Sequence, residues 1–240
     1  MNRTRLAALL ITAPLLFTAG VSALGAIFDY PEVLKRPAAE ILGEFSASEG
    51  AVISWFLVLA LAAGLLMPIA IGVGRLADNG WMRASVWVGS AAAVVQVIGL
   101  LRWAVLLPGF AADAASGDPA VVAAAEESFR TAHRILGNMI GETLGYLLTT
   151  GWTLLVLVAL GRTMAGRWFT VLGATAAVLV LSGVLSPLDL PLVDTANLVG
   201  YVLSSSWLLA FAVLLLRGRP GRSDSRATEV SATPAQARRA

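Results

Sequence analysis

Long apolar runs separated by short polar stretches set the pattern of this chain, at residues 6–28, 51–74, 84–107, 135–160, 168–187 and 195–216. Each reaches the roughly 20 residues a helix needs to cross the hydrocarbon core of a bilayer. Lipid offers no partner to bare backbone N–H and C=O groups, so segments of this length must be helical; strands of a barrel would be about half as long. The expected fold is all-α, a polytopic bundle of six transmembrane helices over residues 1–216. A polar, small-residue-rich, net-basic tail at 217–240 is predicted to be disordered.

The stretches between the runs carry structure of their own. In "FDYPEVLKRPAAEILGEF", residues 28–45, Val33, Leu34, Ala38, Ile41, Leu42 and Phe45 recur at near-helical spacing with charges between them. This predicts a short amphipathic helix lying on the membrane surface, with Pro37 interrupting or starting it. It would serve either as a strap over the helix ends or as a lid over a cavity. Farther on, Asp118 and Pro119 form a helix start. A helix running unbroken from there to Leu160 would be about 60 Å long, so it is expected to project from the membrane or to break near His133.

Composition agrees with the hydropathy: 58% of the 240 residues are hydrophobic and 13% charged, about half the charged share of a soluble domain. The lipid bilayer is the expected surrounding. A pI near 9.5 does not imply nucleic acid, because the basic residues sit in short loops and the tail. There is no cysteine, which excludes disulfides, thiolate chemistry and Cys-based metal sites. Arg3, Arg5, Arg75, Arg83, Arg162, Arg167, Arg217 and the tail arginines fall on one side of the membrane; only Lys35, Arg36, Arg130 and Arg134 fall on the other. The positive-inside rule then places both termini in the cytoplasm of a cell-membrane protein. The opposite, outer side is acidic, with Asp29, Glu32, Glu40, Glu44, Glu49, Asp113, Asp118, Glu126, Glu127, Asp189 and Asp194. Residues 1–26 also have the layout of a cleaved signal peptide, but the apolar run continues to Phe28, so a retained first helix is expected.

Candidate chemistry lies inside the spans, where an ionisable group costs about 3 kcal/mol and normally faces the bundle interior with a partner. Arg102 and Glu142 both fall roughly 10 Å below the outer boundary at 1.5 Å rise per residue and are the natural ion pair. On a regular helix Asn138, Glu142 and Tyr146 form one stripe, and Gly137, Gly141 and Gly145 an adjacent surface that admits a close neighbour. His133 then falls roughly opposite Glu142, so a shared metal is not expected, nor is any cofactor. "GYLLTTGW", residues 145–152, is echoed by "GYVLSSSW", residues 200–207, with Asn197 and Tyr201 repeating the i, i+4 spacing. The echo predicts a parallel repeat of helix pairs with Tyr146 and Tyr201 at equal depth.

These residues point to an outward-facing polar pocket for a small polar or anionic molecule, lined by Arg102, Asn138, Glu142, Tyr146, Asn197, Tyr201 and His133. The alternatives are an assembly or sensor protein with a purely structural Arg102–Glu142 pair, and an intramembrane enzyme using Glu142 as acid or base. No nucleophile elbow, HExxH or paired-His motif is present, so no catalytic residue is assigned. "FDYPEVLKRPAAEIL", "QVIGLLRWAVLLP", "HRILGNMIGETLGYLLTTGW" and "ANLVGYVLSSSWLLAFAVLLL", in this order and spacing, resemble a bacterial family of integral membrane proteins catalogued as domain of unknown function 4386. The resemblance runs from about Arg5 to Leu216. It implies a multi-helix membrane protein and supplies no activity.

Overall fold

The computed structural model describes residues 1–164, 166–188 and 190–218; Asp189 and the tail from 219 onward lie outside the described residues. Among the described residues there is no strand, and six helical segments are long and apolar enough to cross a membrane. The first is α1 (Arg3–Phe28), capped by Asn2, whose side chain accepts from the Arg5 amide. The second is α3 (Glu49–Gly64) continued by α4 (Leu66–Gly74). The interruption at Leu65 follows from Pro68, which removes one backbone donor and whose ring collides with the carbonyl four residues earlier, at Gly64. By the same effect Pro108 separates α5 (Gly80–Val105) from α6 (Leu107–Ala114), and the pair makes a 35-residue third span.

The fourth span departs from expectation. Asp118 caps α7 (Pro119–Ala132), its side chain accepting from the Ala120 amide at 2.8 Å. The helix neither stops nor breaks at His133. It widens into a 12-residue π-helix, His133–Leu144, then resumes as α8 (Gly145–Met164). The fifth and sixth spans are α9 (Arg167–Ser182), with a 3-10 extension to Leu188, and α10 (Val193–Arg217).

The spans pack in chain order into a ring that closes on itself: α1 on α3, α3 and α4 on α5, α5 on the π segment and α8, α8 on α9, α9 on α10, and α10 back on α1. Two apolar cores fill it. One, toward the termini, joins all six spans through Leu10, Ile69, Met82, Trp152, Phe169, Trp207 and Phe211. The other lies under the first long loop, where α2 (Ala38–Ala47) begins at Pro37 and buries Ala38, Ile41, Leu42 and Phe45 against Phe56, Trp103 and Phe129. The amphipathic pattern of residues 33–45 is thus realised as packing on the helix ends. No residue of α8, α9 or α10 joins this second core, so the loop-side halves of those helices are left for polar groups.

The echoed segments lie against each other. Tyr146 meets Tyr201 with ring centroids 6.1 Å apart, and Trp152 meets Trp207 at 5.9 Å, so the expectation of equal depth holds. The repeat also extends into the preceding helices. "GSAAAVVQVIG", residues 89–99, aligns with "GATAAVLVLSG", residues 173–183, with Gly89/Gly173, Ala92/Ala176, Ala93/Ala177, Val94/Val178 and Gly99/Gly183 identical and all but the valines buried in both copies. A Cβ on Gly89 would lie 2.6 Å from Trp152 Cδ1, and one on Gly173 would lie 2.7 Å from Trp207 Nε1. In each copy, then, a glycine of the first helix seats the tryptophan of the second.

Candidate functional site

The glycine face behaves as its spacing suggests. Gly137, Gly141 and Gly145 all press on α5: a Cβ on Gly137 would be 2.9 Å from Arg102 Cζ, one on Gly141 would be 3.0 Å from Gly99 Cα, and one on Gly145 would be 3.0 Å from Gln96 Cγ. The approach is backbone to backbone at Gly99–Gly141, where only two glycines fit. One turn deeper, Gln96 Nε2 donates to Thr149 Oγ1 at 3.1 Å and locks the register.

This seam holds Arg102 in a way that corrects the expected ion pair. The side chain is 5% exposed. Nη1 donates to the Gly99 carbonyl, Nη2 meets His133 Nδ1 at 3.3 Å, and the guanidinium lies 5.3 Å from the centre of the Trp103 ring. A guanidinium only donates, so His133 accepts at Nδ1 and carries its proton on Nε2. Among the described residues no ion pair joins Arg102 to Glu142. The cause is the π-helix. Its i→i+5 bonding takes about 4.4 residues per turn in place of 3.6, so His133 and Glu142 are separated by close to two whole turns and no longer face opposite ways. His133, half-buried, is also stacked on Phe129 at 5.8 Å.

Glu142 belongs to a different group. It lies within electrostatic reach of Tyr30, Tyr146, Tyr201 and Arg102, and Asp194 reaches both it and Tyr146. Phe17 stacks on Tyr201 at 5.0 Å. Asn197 is next to Tyr146 across Gly183 and donates from Nδ2 to the Val180 carbonyl at 2.8 Å, which leaves its oxygen free. The Glu142 carboxylate and the hydroxyls of Tyr30, Tyr146 and Tyr201 make no hydrogen bond within the described residues, and none of these oxygens is among the polar atoms sealed from solvent without a partner. Each of these oxygens therefore keeps some accessible surface. Asn138, one step before Glu142 on the expected stripe, makes no side-chain hydrogen bond among the described residues.

The sequence reading did not include Tyr30. It arrives because Asp29 ends α1 in the left-handed conformation (φ 49°) with its N–H bonded to the Leu24 carbonyl, a turn that Asp tolerates better than most residues. The chain doubles back and drops Tyr30 against Phe56, ring centroids 5.3 Å apart. Asp29 is held in turn by Arg36, which also pairs with Glu44. Burial pushes the Tyr30 phenol up to about 12; the charge of Glu142 adds to this and that of Arg102 opposes it. Lys35, on the same loop, bridges Glu32 at 3.0 Å and Asp194 at 3.2 Å, and these partners raise its pKa. The loop is thereby fastened to the start of α10 above the polar group.

A family profile matches residues 7–218. The chain belongs to DUF4386, a domain of unknown function. No curated protein and no solved structure matches it. The DUF4386 match covers every span described above, so the ring of helices, the glycine seam and the polar group all lie within the family's domain. Two surface clefts of about 690 and 410 Å³ are lined by Phe110, Glu127 and Ile135 and by Phe28, Arg36 and Ser48, among others; neither is lined by Arg102 or Glu142. Among the described residues no cluster of His, Asp and Glu is suited to a metal ion.

Proposed function

We propose that this DUF4386 protein binds, and through its repeat carries, a small polar solute in a pocket open to the outer side of the membrane, formed by Tyr30, Glu142, Tyr146, Asn197 and Tyr201. The observation that carries the reading is the unspent hydrogen-bonding capacity of Glu142 and three phenols inside a membrane bundle, where polar groups normally find partners within the protein. A structural ion pair for Glu142 draws no support from the described residues, none of which pairs with its carboxylate. Transport is favoured over simple binding by the parallel repeat, since substrate sites of repeat-built transporters lie at the interface of the repeats and Tyr146 and Tyr201 meet there. Arg102 and His133 position the helix seam in this reading and do not touch the solute. The charge asymmetry of the loops supports placing this end of the bundle on the outer side.

A thermal-stability screen of the purified full chain against small cationic, anionic and zwitterionic solutes tests it. At least one solute should stabilise the wild type saturably and leave Tyr201→Leu unchanged. If no solute does so, the binding reading is wrong.

A further inference from the structure

We infer that the solute is an organic ammonium ion, an amine or a quaternary ammonium group, and not an anion. This rests on the binding reading above and assigns the charge of its ligand. An anion would need Arg102, the one basic side chain buried among these groups. That guanidinium is committed to the Gly99 carbonyl, to His133 and to the face of Trp103, and its remaining donor, Nε, is sealed from solvent. The charge that a solute can meet is Glu142, whose carboxylate joins no ion pair among the described residues; Asp194, nearer the loop, is already paired with Lys35.

The surroundings of Glu142 suit an organic cation. Tyr146, four residues on from Glu142, meets Tyr201 edge-on, and Phe17 stacks on Tyr201 in turn; ring faces attract ammonium groups through their quadrupoles. A metal ion is not supported: one carboxylate is too few for a calcium or magnesium site, which takes six or more oxygen ligands, several from the protein, and no cluster of potential ligands exists among the described residues.

The test uses the full chain in lipid nanodiscs at fixed ionic strength, with methylammonium and tetramethylammonium chloride as cationic probes, sodium methanesulfonate and phosphate as anionic ones, and sodium chloride as the reference. At least one ammonium salt should raise the melting temperature saturably, and Glu142→Gln should weaken its apparent affinity at least about tenfold. Tyr146→Leu and Tyr201→Leu should weaken it too, which keeps the test decisive if Glu142→Gln does not fold. The exposed Asp113→Asn should change nothing. Stabilisation by methanesulfonate or phosphate alone would overturn the charge class while leaving a pocket in place. Ammonium binding that survives both Glu142→Gln and the tyrosine substitutions would overturn the assigned site. If no salt of either sign stabilises the protein, the inference and the binding reading fail together.

Discussion

Substituting Gly99 by alanine attacks the contact on which the site geometry depends. The new Cβ would stand 2.6 Å from Gly141 Cα and 3.0 Å from the Leu136 carbonyl oxygen. Both are backbone atoms and cannot rotate away, so the seam must open by about 0.8 Å to reach the 3.4 Å edge of ordinary contact (3.4 − 2.6). Overpacking of this kind costs about 1–3 kcal/mol. Opening the seam also moves Gly137 off Arg102 and the π segment away from α5. A control separates this from the general effect of replacing a helical glycine: Gly43, inside α2, has nothing within 4 Å of a built Cβ, so alanine there gains up to about 1 kcal/mol of helix propensity. Reversible unfolding in mixed micelles, read by tryptophan fluorescence, should therefore separate Gly99→Ala from Gly43→Ala by roughly 1–3 kcal/mol, the propensity gain being common to both. If the two are equally stable within about 0.5 kcal/mol, the usual scatter for uninvolved sites, the close backbone approach does not exist.

Three further outcomes follow from the same contacts. Arg102→Met should destabilise by about 1–3 kcal/mol because it removes the second donor to the Gly99 carbonyl and leaves His133 Nδ1 without its partner, whereas Glu142→Gln should leave stability unchanged or improved; equal losses that disappear in the double variant would instead reveal a direct ion pair. In a Tyr146→Phe/Tyr201→Phe background the single remaining phenol, Tyr30, should stay protonated until the pH nears about 12. Its folded value lies above the unfolded one, so the stability it contributes is intact below about 10 and is lost as the pH rises from there through about 12; tyrosinate absorbance appearing near the ordinary phenol value would contradict its burial. Gly89→Ala and Gly173→Ala should cost similar amounts in chemical unfolding, since each drives a methyl into the tryptophan of its own repeat, and an innocuous change at either position would break the equivalence.

Much of the architecture is legible in the residues because hydropathy and spacing act locally. The six spans, the amphipathic packing of residues 33–45, the Asp118–Pro119 start and the small-residue face at Gly137, Gly141 and Gly145 all follow from rules that need only near neighbours. The partner of Arg102 does not. Predicting it from position and phase assumed the rotation of a regular α-helix, and "HRILGNMIGETL" carries no local marker of the i→i+5 pattern. That pattern belongs to the contact with Gly99 and Arg102, residues more than thirty positions away. The depth argument assigned Arg102 to Glu142, but the winding of the segment delivered His133 to the guanidinium. Tyr30 was hidden for a related reason. Its place in the polar group depends on a left-handed turn at Asp29, and a tyrosine after an apolar run reads as an interfacial anchor. The second half of the repeat was masked by hydrophobic substitutions such as Gln96/Val180, and became visible once Trp152 and Trp207 were seen seated on Gly89 and Gly173.

Side-resolved thiol labelling tests the central claim most directly. The chain contains no cysteine, so Tyr201→Cys introduces a single reactive site, and Trp207→Cys, at a position 1% exposed in the apolar core, gives the buried reference. A membrane-impermeant thiol reagent added to sealed, oriented vesicles should modify Cys at 201 from the side bearing the 29–48 loop, only slowly from the other side, and less readily when tetramethylammonium is present. Labelling at 201 no faster than at 207 from either side would mean that the polar groups are sealed in the bundle, and a pocket open to the outer side would be ruled out.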